Sequence, residues 1–179
     1  MRQIVFLFLI WTIAVATTAL PAQQRSEAVE VQVDDLQATP YGISITLRAS
    51  RSGELLHMLI GVSEGQAIAH ALSHRSLPRP MTHDLITTIL GRTGWQVQRV
   101  LIRGISGSTF LADLVLEKNG ETEIIDSRPS DAMAIAVRSD AKIFVNPEVF
   151  EFERNREQRE LERSPTEESM PDEGEGLHL

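Results

Sequence analysis

Cysteine is absent from all 179 residues, so the chain has no disulfide framework, thiolate nucleophile, cysteine zinc site or cysteine to acylate as a lipoprotein. Aromatic residues make up only 5% of the chain, which leaves little for stacking on bases; Trp95 and Phe110 are read as core. No phosphate-cradling glycine loop, GxSxG elbow or Rossmann fingerprint occurs. A basic excess is also missing: the net charge is −8, against the basic footprint expected of a nucleic-acid binder. The acidity is concentrated at the end of the chain, where residues 151–179 hold ten acidic side chains against four basic ones. Residues 28–150 are only slightly acidic. Any contact with nucleic acid must therefore come from a local cluster, for which Arg75, Arg79, Arg92, Arg99 and Arg103 are candidates. Arg99 and Arg103, four apart on one expected strand, share a face and would either track a phosphate backbone or line a solvated surface.

The one long apolar run, Ile4 to Ala16, follows Arg2 and leads through Leu20-Pro21-Ala22 to polar Gln23-Gln24-Arg25. It is short for a transmembrane span and has the layout of a secretory signal. We read residues 1–22 as a signal peptide cut near Ala22, with the mature chain secreted or periplasmic and no stable membrane anchor. A retained N-terminal anchor is the alternative. Residues 28–153 form the expected single domain. Residues 154–179 are expected to be a charged helix end and a disordered acidic tail, too poor in apolar side chains to order itself.

Inside the domain, Val29 to Val33 and Gly42 to Leu47 alternate apolar and polar residues, and Leu55 to Val62 is more continuously apolar, which predicts three antiparallel strands. Ser63 and Gln66 have capping-box spacing ahead of a helix carrying Ala67, Ile68, Ala71 and Leu72. Thr82 is placed to cap a second helix presenting Leu85, Ile86, Ile89 and Leu90, closed by Gly91 and Gly94. Strands are predicted over Trp95 to Ile102, Phe110 to Leu116 and Glu123 to Asp126, with Asn119-Gly120 as a type I′ hairpin turn. A short strand, Ile143 to Val145, precedes a last helix opened by Asn146-Pro147. Segregated strands and helices favour an α+β fold: a mainly antiparallel β-sheet packed against about three helices.

The segment Ile124 to Arg138 carries the most chemistry. A β-like pair runs through Asp126, Arg128 and Asp131 into an Ala/Ile/Val/Met helix that must be buried. Charges delivered beside packed structure are costly unless paired or used. Asp131, with Asp126, would hold a divalent cation or position a water, while Arg128 takes a phosphate oxygen. Equally, Pro129 suits the first helical position, Asp131 favours the helix N-terminus, and Arg128 would simply pair with Asp126 or Glu64. His83-Asp84 offers a general base beside an acid, although neighbours on a helix do not face each other. If three helix N-termini converge, Glu64, Asp84 and Asp131 would suit Mg²⁺ or Mn²⁺. His57, His70 and His74 show no HExxH pattern; His70 and His74 are read as surface residues.

Arg128-Pro129-Ser130-Asp131-Ala132 resembles the RPSDA signature of the bifunctional nuclease domain family. In the same order, Glu64 to Ala69 resembles its first helix, Pro78 to Leu85 its second helix entry, and Ile143 to Val145 its closing strand. Together these blocks span roughly Val29 to Glu153. The resemblance implies the same α+β fold and hydrolysis of phosphodiester bonds in DNA and RNA with little sequence preference. It implies catalytic roles for Asp131, Arg128, Glu64, His83 and Asp84, and substrate contacts from Arg79, Arg128 and Ser130. Asp131, Asp126 and Glu64 would hold a metal, Mg²⁺ or Mn²⁺, with no organic cofactor, and a homo-oligomer is allowed. The rival is a non-catalytic binding or assembly module retaining the fold. A basic groove beside Arg128 would favour the nuclease, and an apolar patch the module.

Overall fold

The computed structural model describes residues 27–75 and 77–163; the expected signal peptide and the tail beyond 163 lie outside them. Eleven elements run in the order β1 (Val29–Thr39), β2 (Gly42–Ala49), β3 (Leu55–Ile60), α1 (Val62–Leu72), α2 (Thr82–Thr93), β4 (Gln96–Ser106), β5 (Thr109–Lys118), β6 (Glu121–Ser127), α3 (Pro129–Ala136), β7 (Lys142–Val145) and α4 (Pro147–Arg163). The fold is α+β, as the segregated pattern predicts, with four helices among the described residues. All strands join one seven-stranded sheet, ordered β3-β2-β1-β7-β4-β5-β6. Every pairing is antiparallel except β4 with β7. None of the described helices is long and apolar enough to cross a membrane.

Alternation along the strands sends one face to the core. Val31, Ile45, Leu47, Leu56, Met58, Val100, Ile102, Ile143 and Val145 join a single cluster with α1, α3 and the start of α4. The opposite face carries Arg48, Arg103, Asp113 and Asp126 in ion pairs. Bulges lengthen two strands beyond their periodic reading. β1 shifts register between Val33 and Asp35 and continues to Thr39. β4 shifts between Ile102 and Gly104, placing Arg103 beside Asp113. The Asn119-Gly120 turn forms as expected, with φ of 52° and 84°, the left-handed pair a type I′ hairpin needs.

Two expected caps differ. Gly61, not Ser63, is the N-cap of α1, and Ser63 lies inside the helix. Met81, not Thr82, caps α2, and the Asp84 carboxylate accepts the Met81 N–H at 2.7 Å, so the acid replaces the hydroxyl. Gly91 stays within α2, and Gly94 alone ends it with φ of 80°. α3 is the buried helix its composition demands: Ser130, Ala132, Met133, Ala134, Ile135 and Ala136 are all buried, and Pro129 takes the first helical position. α4 is helical through residues 154–163; Val149 and Phe150 enter the core, and Arg154 pairs with Glu54 beyond the β2–β3 turn.

Candidate active site

The N-terminal turns of α1, α2 and α3 meet over the β5–β6 end of the sheet. Gly65 makes this approach possible for α1: a Cβ there would lie 2.5 Å from Ile43 Cγ1, so only glycine lets the helix settle on β2. Glu64 is thereby held above Arg128, the N-cap of α3. The Arg128 guanidinium grips Asp131 with two bonds, Nε to Oδ2 at 2.6 Å and Nη2 to Oδ1 at 3.0 Å, and donates from Nη2 to Glu64 Oε1 at 2.8 Å. His83 Nε2 lies 3.2 Å from Asp131 Oδ1. Four side chains from three helices thus form one chain of contacts, Glu64–Arg128–Asp131–His83.

The electrostatics are unequal across this chain. Burial pushes the Asp131 carboxyl upward, but its bonds to Arg128 and His83 prevail and hold it below the ordinary aspartate value. Arg128 is driven further toward the charged form by its bonds to Asp131 and then Glu64. Its side chain is nonetheless 66% exposed, while His83 is only 8% exposed. A held, solvent-facing guanidinium therefore sits beside a buried imidazole, at the mouth of a cleft of about 540 Å³. The floor of this cleft, built by Ile86, Leu90, Leu114, Leu116 and Ile125, is apolar.

The other sequence candidates fall elsewhere. Asp84 is adjacent to His83 but turned away: it binds Arg138 Nε at 2.5 Å, so no Glu64–Asp84–Asp131 trio forms. Asp126 points to the opposite face of the sheet from Ile125 and Ser127, which line the cleft, and is bonded to Arg103 at 2.7 Å rather than to Arg128. Ser130 lines a smaller cleft of about 290 Å³ on the far side of Arg128, with Gly61 and Phe110. Arg79 lines a third, of about 310 Å³, beside Asp84. Arg99 and Arg103 are separated by role, Arg103 being tied to Asp113 and Asp126.

A divalent cation does not fit this donor set as arranged. Arg128 occupies the position between Glu64 and Asp131, and among the described residues no three His, Asp or Glu side chains converge as a metal site. Arg138 is the participant the sequence reading missed; a buried, bonded arginine after α3 leaves no local spacing signal.

The family model of the bifunctional nuclease domain matches residues 45–158. The chain belongs to that family. It is 35% identical over 121 residues to an uncharacterized protein of Mycobacterium tuberculosis, covering 68% of this chain and 70% of that one. Bifunctional nuclease 2 of Arabidopsis thaliana is 26% identical over 110 residues, 60% of this chain and 33% of the plant protein. Bifunctional nuclease 1 of Oryza sativa subsp. japonica is 28% identical over 112 residues, 61% and 34% respectively. The chain thus spans about a third of each plant nuclease. The family match covers all four members of the Glu64–Arg128–Asp131–His83 chain.

Proposed function

We propose that the protein is a nuclease that hydrolyses phosphodiester bonds in DNA and RNA with little sequence preference, working outside the cytoplasm. The observation that carries this reading is Arg128: it is exposed, clamped by Glu64 and Asp131, and one residue contact from a buried His83. Family membership and the plant relatives named as nucleases support it.

With Nε and Nη2 already used, Arg128 offers Nη1 to a non-bridging phosphate oxygen, where negative charge grows as phosphorus is attacked. Asp131, held as a carboxylate, is a poor proton acceptor and serves as the anion that orients His83 and Arg128. With its Nε2–H donated to Asp131, His83 keeps the Nδ1 lone pair to take a proton from the attacking water. Two carboxylates and one guanidinium leave the cluster net negative toward a phosphate, so Mg²⁺ or Mn²⁺ belongs in the assay as a variable.

A second reading, a binding or assembly module, is favoured by the apolar floor of the cleft. One experiment separates the two. The mature chain and an Arg128→Ala, Asp131→Ala variant are assayed on single-stranded DNA, duplex DNA and RNA with Mg²⁺, Mn²⁺ or EDTA. Cleavage lost in the folded variant supports the nuclease; equal traces in both mean contamination or a different site, and none in either transfers the assignment to the module.

A further inference from the structure

The third cleft, of about 310 Å³, lies across the Pro80–Asp84 wall from the His83–Asp131 pair. Its lining brings together Arg75, Arg79, Arg138 and His70 around a single acid, Asp84. That acid is already used. Asp84 Oδ1 receives Arg138 Nε at 2.5 Å and Oδ2 receives the Met81 N–H at 2.7 Å. Arg138 is nearly buried and further held by its Nη1 bond to the Ala134 carbonyl at 2.8 Å. It forms a fixed floor rather than a mobile surface charge.

Arg75 and Arg79 are different. Both are exposed, and among the described residues neither has a carboxylate partner. Arg75 is placed by the end of α1: His74 takes the left-handed conformation, φ 49°, the His74 N–H bonds to the Ala71 carbonyl, and the Arg75 N–H returns to the His70 carbonyl at 3.1 Å. Arg79 stands between Pro78 and Pro80, whose rings restrict the backbone. Two guanidinium groups are therefore delivered to one small cavity without a carboxylate partner of their own among the described residues, the one acid of its lining, Asp84, being taken by Arg138. Such a concentration of positive charge is satisfied by an anion.

We infer that this cleft is a backbone subsite, in which Arg75 and Arg79 take phosphates of a nucleic-acid strand that also places a phosphate at Arg128. The inference rests on the nuclease reading and extends it by giving the strand a path. Asp131 and Arg138 are seven positions apart along α3 and its following turn, roughly 10 Å at 1.5 Å per residue. Arg138 floors the cleft and Asp131 holds Arg128, so sites this close are bridged by a few consecutive phosphates of one strand, whose charges recur every ~3.4 Å of duplex axis. The negative cluster around Arg128 is then compensated next door, which explains how a net-acidic domain holds a polyanion.

The test is binding of a fluorescein-labelled single-stranded oligonucleotide with phosphorothioate linkages, followed by anisotropy in EDTA across a salt series. Arg75→Ala, Arg79→Ala should weaken binding about tenfold near 0.1 M salt and lower the slope of log K against log salt by roughly 1 to 1.5, two contacts at ~0.7 each. The Arg75→Lys, Arg79→Lys protein should keep the slope. An Arg51→Ala, Arg159→Ala control, on the β2–β3 turn and in α4 and outside the cleft's lining, should behave as the unmodified chain. A methylphosphonate oligonucleotide, with no backbone charge, should bind the unmodified chain and the alanine pair alike. Binding with an unchanged slope in the alanine pair overturns the subsite alone. No binding by the unmodified chain, either in EDTA or with Mg²⁺ or Mn²⁺ added, overturns both the subsite and the nuclease reading, and cleavage without any slope change leaves the nuclease standing without this subsite.

Discussion

His83 Nε2 lies 3.2 Å from Asp131 Oδ1, so a single contact spanning 48 residues of sequence pins the start of α2 to the start of α3. The rest of α2 is weakly held. His83 is its one buried residue, Leu85 and Ile89 are exposed, and Ile86 and Leu90 are only partly buried where they pack against the core along the cleft floor. His83→Ala removes both the bond and the buried ring, and should cost about 1–3 kcal/mol. The loss should be local: amide exchange across 82–93 should accelerate well before that of β4 and β5. Uniform acceleration over the whole domain would show that His83 is not the fastener of α2.

Acid should act on the same junction. Asp84 and Asp131 are both raised by burial, yet held below the ordinary aspartate value, Asp84 by Arg138 and the Met81 N–H, Asp131 by Arg128 and His83. A depressed folded value means that the stability each lends is fully present above the ordinary range near pH 4 and disappears as pH falls through the lower folded value. Asp84→Asn should lose about 1–3 kcal/mol at neutral pH, because Arg138 is left nearly buried without its counter-charge. It should also flatten the decline of stability below about pH 4. Urea unfolding at pH 7 and at a series of acid values measures both. A variant with the unmodified chain's acid slope would remove Asp84 from the titrating set.

The strands and α3 were legible because their physics is local: alternation sets the faces of β2, Asn119-Gly120 supplies two positive φ angles, and an Ala-rich helix has nowhere to go but inside. Arg128 and Asp131 were legible because the RPSDA run places them three apart on one helix start. What sequence left open was convergence. Glu64 was as plausible a capping acid as a site residue until α1 settled on Ile43 through Gly65. His83 and Asp84 were expected to diverge as consecutive helical residues, but where each would go was not legible: the helix sends one to Asp131 and the other to Arg138. The bulges in β1 and β4 also escaped, since a single extra residue inverts the alternation on which strand reading depends.

Asp126 provides a negative test of the site's boundary. Its side chain is 77% exposed, bonded to Arg103, and on the face of the sheet away from the cleft. Arg103 keeps Asp113 as a second partner. Asp126→Asn should therefore leave cleavage and its metal dependence unchanged and shift stability by no more than about 1 kcal/mol. A large loss of activity, with an unaltered urea midpoint, would return Asp126 to the reacting centre.

Two glycines at the start of α1 separate packing from chemistry. A Cβ at Gly65 would press into Ile43, whose Cγ1, Cβ and Cγ2 lie at 2.5, 2.7 and 2.9 Å. Ile43 is a β-branched side chain on a paired strand and the close atoms include its Cβ, so Gly65→Ala should cost about 1–3 kcal/mol and displace α1. A Cβ at Gly61 would instead meet the Glu64 carboxylate, the far end of a flexible side chain. Gly61 has an ordinary extended backbone, φ −64° and ψ 153°, which alanine adopts freely. Gly61→Ala should therefore change stability by less than about 0.5 kcal/mol. Its effect should appear at Arg128, which loses the Glu64 tie but keeps both bonds to Asp131. If that tie orients the guanidinium for phosphate, the variant loses activity by less than Arg128→Ala while unfolding at the same urea concentration as the unmodified chain. Full activity in Gly61→Ala would mean that Asp131 alone orients Arg128, and that Glu64 holds α1 to α3 without serving the reaction.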